Sequence, residues 1–298
     1  MIQIINFVPM KNKTFLLLSL FLWLIWSCNP SKQKEEIATE PVTSTSDYFH
    51  SDQVLISAHR GGSGLKNYPE NCLETMQYLR DYGVNLFEID ITESSDHQLL
   101  LMHDDHFERT TTGTGSLEGK TAAELRQVNL VDDFGNATTY KMPFLKDVLA
   151  WGKKEHAYFM IDFKKGVSYQ KVIKEIRDAD MQDQVALISY SVAQAEKLHK
   201  LAPEMMISVS ARNQQELDWI LATNIPHDKM VAFTGTKLSS KQLYKNLEEL
   251  GIPVNLGTLG NLDKSAEAKG DDLYKKWHKE GVNIFSTDRP LEVYRVFH

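Results

Sequence analysis

Cysteine is the scarcest chemistry in this chain: 298 residues contain two, Cys28 and Cys72. No disulfide framework can hold the fold together, so stability must come from a buried core, which this length can supply. Positive charge is also short, with 33 Lys and Arg against 40 Asp and Glu and a net charge of -7. No basic patch with interleaved aromatics occurs, which argues against a nucleic-acid partner. A small phosphate-bearing ligand stays open, because one focused site can be positive inside an acidic protein. There is no internal repeat beyond an alternation of strands and helices, and no low-complexity region outside residues 29–50.

The one long apolar run is residues 15–26, preceded by Lys11 and Lys13 and followed by Ser27-Cys28. A basic region, a short apolar run and a small residue before a cysteine predict a lipoprotein-type signal peptide over 1–27 with Cys28 as the lipidated residue. A plain membrane anchor is the alternative, although the run is short for a span. Residues 28–50, rich in Ser, Thr, Lys, Glu and Pro, read as a flexible tether. The expected location is the bacterial cell envelope, lipid-anchored and periplasmic or outer-membrane associated. Cys72 then has no partner and reads as a small buried residue.

Residues 51–298 alternate strand, loop and helix. Strands are expected at 54–58, 86–91, 158–163, 185–188, 206–209, 230–233, 253–256 and 282–285. Apolar residues spaced by three and four lie between most of them, as in Leu73-Met76-Leu79-Tyr82. Such alternation builds parallel β-structure. Eight strands over about 245 residues favour a (β/α)8 TIM barrel, with an open doubly wound sheet as the alternative. Leu99-Leu100-Leu101-Met102 follows the second strand too soon for a parallel crossover, which needs about a dozen residues, and is expected to be a hairpin arm. Residues 104–142 read as an excursion over the barrel mouth. Within it, Thr121 and Glu124 form a capping box for a short helix. The return is Pro143 and a helix through Leu145, Val148 and Leu149.

Glu88 and Asp90 are two apart on one strand and share a face. Paired carboxylates on a buried strand are costly unless a cation lies between them, so a divalent metal is the economical reading; a surface edge is the other. His59 ends the first strand and His103 the hairpin arm. Histidine suits proton transfer near neutral pH. Arg60 offers a rigid fork to phosphate, or pairs with Glu70. Asp162 and Lys164 share a face at a strand's C-terminal end, where a barrel keeps its active site. Asp162 would complete a three-carboxylate site and Lys164 meet a phosphate; a salt-bridged strand end is the alternative.

His59-Arg60-Gly61, Pro69-Glu70-Asn71, Glu88-Ile89-Asp90, His103-Asp104, Arg109-Thr110-Thr111, Asp162-Phe163-Lys164 and Thr287-Asp288-Arg289-Pro290, in this order, resemble the glycerophosphodiester phosphodiesterase family. The resemblance implies a TIM barrel that hydrolyses glycerophosphodiesters to glycerol 3-phosphate and an alcohol with one divalent metal, Ca²⁺ or Mg²⁺. It implies His59 and His103 as the catalytic pair, Glu88, Asp90 and Asp162 as metal ligands, Arg60 and Lys164 on the phosphate, and Glu70, Asn71 and Asp104 in support. The expected partners are small glycerophosphodiesters or lipid headgroups, and a membrane through lipidated Cys28. Alternatives are a phospholipase- or lyase-type enzyme on lipid headgroups, marked by an apolar rim around Leu65, Tyr68 and Phe107, or a non-catalytic binding barrel. Three departures stand out. Asp162 replaces the usual glutamate, Cys72 follows Asn71 where threonine is usual, and 255–261 lacks the usual tryptophan.

Overall fold

The structure, a computed structural model, describes residues 44–298. The expected signal segment, Cys28 and the tether up to residue 43 lie outside the described residues. Nine strands follow in order: β1 (Leu55–Ala58), β2 (Leu86–Glu93), β3 (Leu99–Leu101), β4 (Tyr158–Phe163), β5 (Val185–Ile188), β6 (Met206–Ser210), β7 (Met230–Phe233), β8 (Val254–Gly257) and β9 (Ile284–Thr287). All except β3 pair in parallel, and β1 pairs with both β9 and β2, so eight strands close into a barrel. This is the expected (β/α)8 architecture. β3 runs antiparallel on β2, with Ile91 opposite Leu101, as a hairpin arm must.

The strands are apolar on both faces near their starts, as parallel strands covered by helices should be. Outward residues such as Phe87, Ile89, Phe159 and Ile161 pack with the helices in the main core. Inward residues change character along the barrel axis. Leu55, Leu86, Tyr158, Met206, Val231 and Ile284 fill the end where the strands begin. Ser57, Ser208, Asn255 and Ser286 follow as a buried polar layer, and Glu88, Asp90 and Asp162 come last. The side-chain period of two places this gradient on single strands.

Part of the stretch expected to be a tether is folded. Residues Thr45–Phe49 form a helix whose N-cap Ser44 accepts a hydrogen bond from the Asp47 amide. Tyr48 and Phe49 join the apolar cluster at the lower end of the barrel. The Tyr48 ring stacks on Tyr158 at 3.6 Å, and its hydroxyl donates to Asn85 Oδ1 at 2.8 Å. A polar-looking stretch had hidden two aromatic residues that plug the barrel.

β9 begins two residues later than its apolar run suggests. The Val282 amide is still bonded to the Trp277 carbonyl, closing the preceding helix. The shift carries the strand through Thr287 and leaves Asp288 at the C-terminal mouth. The excursion has its own small core, including Leu100, Met102, Phe107 and Leu125, and the Thr121–Glu124 capping box is formed. The return helix is Leu145–Glu155.

The expectation of a lipid-anchored envelope protein is corrected. Among the described residues no helix is long and apolar enough to cross a membrane, and the only described cysteine, Cys72, is buried. The lipidated-Cys28 tether and the periplasmic or outer-membrane location have no support in the fold.

Candidate active site

The site begins with β2 and β4. Their register puts Asp90 opposite Asp162, and the period of two puts Glu88 on the same inward face. One oxygen from each of Glu88, Asp90 and Asp162 lies within 4.8 Å of the others. Burial first, and then the Asp90 charge, push the Glu88 carboxyl up to about 8. The same two causes raise Asp162. Lys164 leans on the group, with Nζ 3.3 Å from Asp90 and 3.6 Å from Asp162. One ammonium does not balance three carboxylates, and Asp162 Oδ1 is buried without a hydrogen-bond partner. Oxygen donors in such excess suit a hard divalent cation.

Each histidine has a carboxylate behind it. His59 Nδ1 lies 2.7 Å from Asp288 Oδ1, and His103 Nδ1 lies 2.7 Å from Asp104 Oδ1. A carboxylate accepts the Nδ1 proton and leaves Nε2 as the working nitrogen. Burial disfavours the charged form of His59, but the Asp288 hydrogen bond and the charges of Glu88 and Asp288 outweigh it, so its pKa is raised. His59, His103 and the three carboxylates line one cavity of about 150 Å³ at the C-terminal mouth.

The glycine turn after β1 explains its composition. Arg60 takes a left-handed conformation (φ 51°), followed by Gly61 and Gly62 at positive φ. This aims the Arg60 amide at Glu88 Oε2, 2.8 Å away. Asn71, also left-handed, clamps Asp90 twice: its Nδ2 donates to Asp90 Oδ2 at 2.8 Å, and its Oδ1 accepts from the Asp90 amide at 3.0 Å. Holding two non-glycine residues there costs about 1–3 kcal/mol each and is typical of functional sites.

Other side chains stand further out. The Arg60 guanidinium bonds Glu70 at 3.1 Å rather than lining the cavity, while its Nε is buried and unpartnered. Glu70 sits between Arg60 and Arg109. Asp104 accepts from Arg109 at 2.7 Å, and that hydrogen bond holds its carboxyl well below the usual range. Cys72 is fully buried, with burial raising its thiol, so the departure from threonine is packed away. Where the tryptophan is missing, Leu259 lines the cavity, and Tyr190, just after β5, and Phe233, at the end of β7, bring aromatic rings.

Asp288, which the sequence motif leaves without a role, backs His59. It stands 229 residues from His59, so no local spacing could pair them. Its position is built by Asp263, a buried carboxylate that accepts from Tyr274 Oη, Thr287 Oγ1 and the Asp288 amide, each at 2.8 Å. Arg109 and Tyr190 were likewise without a role.

The barrel gathers three carboxylates and two carboxylate-backed histidines at its C-terminal mouth, and its closed ring of eight parallel strands is a TIM barrel. The chain belongs to the glycerophosphoryl diester phosphodiesterase family, which residues 59–290 match. It is similar to the crystal structure of a glycerophosphoryl diester phosphodiesterase from Parabacteroides distasonis, with a TM-score of 0.75 and 28% identity over 86% of this chain and 92% of that one. A glycerophosphodiester phosphodiesterase of Caldanaerobacter subterraneus is 26% identical over 163 residues, 53% of this chain and 66% of the relative. One from Bacillus subtilis is 28% identical over 174 residues, 52% of this chain and 58% of the relative. The matches therefore span about three fifths of these relatives.

Proposed function

We propose that this chain hydrolyses glycerophosphodiesters to glycerol 3-phosphate and an alcohol, using Ca²⁺ or Mg²⁺ held by Glu88, Asp90 and Asp162. The observation that carries it is the convergence of those carboxylates in one cavity with His59 and His103. A divalent ion there supplies positive charge to the phosphate oxygens. Lys164, whose ammonium stands 3.3 Å from Asp90, and Arg60, through its unpartnered Nε, would contribute positive charge toward the phosphate. One histidine takes the proton of the attacking hydroxyl, from water or the neighbouring glycerol hydroxyl, and the other protonates the departing alcohol. Asp288 and Asp104 hold the imidazoles in the tautomer this requires. Asn71 keeps Asp90 in place.

Small diesters are the reading favoured here over lipid surfaces: of the three residues of the expected apolar rim, Phe107 is buried in the excursion core, while Leu65 and Tyr68 are half-buried, Leu65 against the main core and Tyr68 stacked on Tyr78 at 3.9 Å. A non-catalytic barrel would be expected to lack one of the histidines or carboxylates, and all are present.

The test is hydrolysis of a headgroup panel with and without chelator. His59→Ala and His103→Ala are each expected to lower kcat about 10²- to 10⁴-fold, and chelation to abolish turnover reversibly. Activity indifferent to chelator would refute the metal mechanism.

A further inference from the structure

Arg109 comes from the excursion, not from the barrel. Its guanidinium makes four hydrogen bonds to two carboxylates: Nε to Asp104 Oδ2 at 2.7 Å, Nη2 to Asp104 Oδ1 at 2.9 Å, Nη1 to Glu70 Oε2 at 2.8 Å and Nη2 to Glu70 Oε1 at 2.8 Å. Asp104 in turn holds His103 Nδ1, and Glu70 holds Arg60, whose amide meets Glu88. A continuous chain of contacts thus runs around the mouth from His103 to Glu88, with one planar fork at its centre.

We propose that Arg109 is a positioning residue for His103: by gripping Asp104 and Glu70 together it fixes the imidazole on the cavity. This rests on the phosphodiesterase reading for its activity readout only. The fork is the essential feature. Lysine would restore the charge but not four directed bonds on two carboxylates. Asp104 is partly exposed, so without Arg109 it is free to turn to water. Glu70 is 2% exposed and keeps Arg60. The loss therefore falls on His103 more than on the fold.

The experiment compares wild type with Arg109→Met, Arg109→Lys, Asp104→Asn and the Arg109→Met/Asp104→Asn double variant, each verified as folded by circular dichroism. Arg109→Met is expected to lower kcat on the order of 10²-fold with KM changed less than about threefold, since misplacing a proton-transfer group by about 1 Å has that effect. The double variant is expected to be no worse than the poorer single variant, and Arg109→Lys to recover less than about a tenth of wild-type kcat. Fully multiplicative losses, or a Lys variant equal to wild type, would overturn the proposal. A second readout needs no activity: ¹⁵N spectra of the His103 ring are expected to show one tautomer, protonated at Nδ1, in wild type and exchange between tautomers in Arg109→Met. An unchanged spectrum also overturns it. If wild type hydrolyses no diester, the functional reading fails while the ring spectra still decide the role of Arg109. Should Arg109→Met not fold, the Lys and Asn variants carry the same comparison.

Discussion

The two ends of the barrel are built from the same strands to opposite purposes. Where the strands begin, Leu55, Leu86, Tyr158 and Ile284 close on one another and are sealed by Tyr48 and Phe49. Where they end, Glu88, Asp90 and Asp162 crowd together beside two histidines. β2 passes from one regime to the other between Leu86 and Asp90, a rise of roughly 13 Å. Like charges held out of water weaken a fold, so the cost of the mouth proposed to do chemistry is offset by the apolar end. Function and stability are therefore separated along one axis, and substitutions at the two ends should fail in different ways.

The largest effect at the lower end is expected from Phe49→Ala. Removing a buried aromatic side chain typically costs about 3–5 kcal/mol, read as a fall in the urea midpoint, while kcat below the melting temperature stays near wild type. Loss of turnover without loss of stability would break the separation. Tyr48→Phe is gentler. It removes the hydroxyl that bonds Asn85 but keeps the ring on Tyr158, and should cost about 1 kcal/mol, again with catalysis unchanged.

The smallest effect belongs to the upper end and sharpens the contrast through pH. The Arg109 hydrogen bond lowers the Asp104 pKa below its ordinary 3.8 in the folded protein. Its contribution is present above that ordinary value and disappears as pH falls through the lower folded value, because the unfolded chain takes up its proton first. Stability measured from pH 5 downward should decline less steeply in Asp104→Asn than in wild type. An identical acid slope would mean the pairing does not favour the folded state.

Much of the site was legible before any fold was known. Glu88 and Asp90 could be placed on one face because strand periodicity is local, and Asp162 with Lys164 for the same reason. The capping box at Thr121 named a helix start. What escaped notice were pairings between distant segments. Asp288 reaches His59 only because β9 closes the barrel against β1, and because the preceding helix retains Val282 and shifts the strand. Arg60, read as a phosphate ligand or a partner of Glu70, turned out to hold Glu70 with one nitrogen and to leave another unpartnered. The boundary at residue 50 was misplaced because composition averages over Tyr48 and Phe49, whose burial depends on a barrel bottom that no local pattern reveals.

The amino-acid sequence by itself determined the strands, their inward and outward faces, and the types of group available for catalysis, because these follow from residue type and short-range spacing. Tertiary structure alone decided which carboxylate backs which histidine, what seals the lower end, and that Arg109 spans Asp104 and Glu70. Those contacts join residues that the chain separates and closure of the barrel brings within hydrogen-bonding distance.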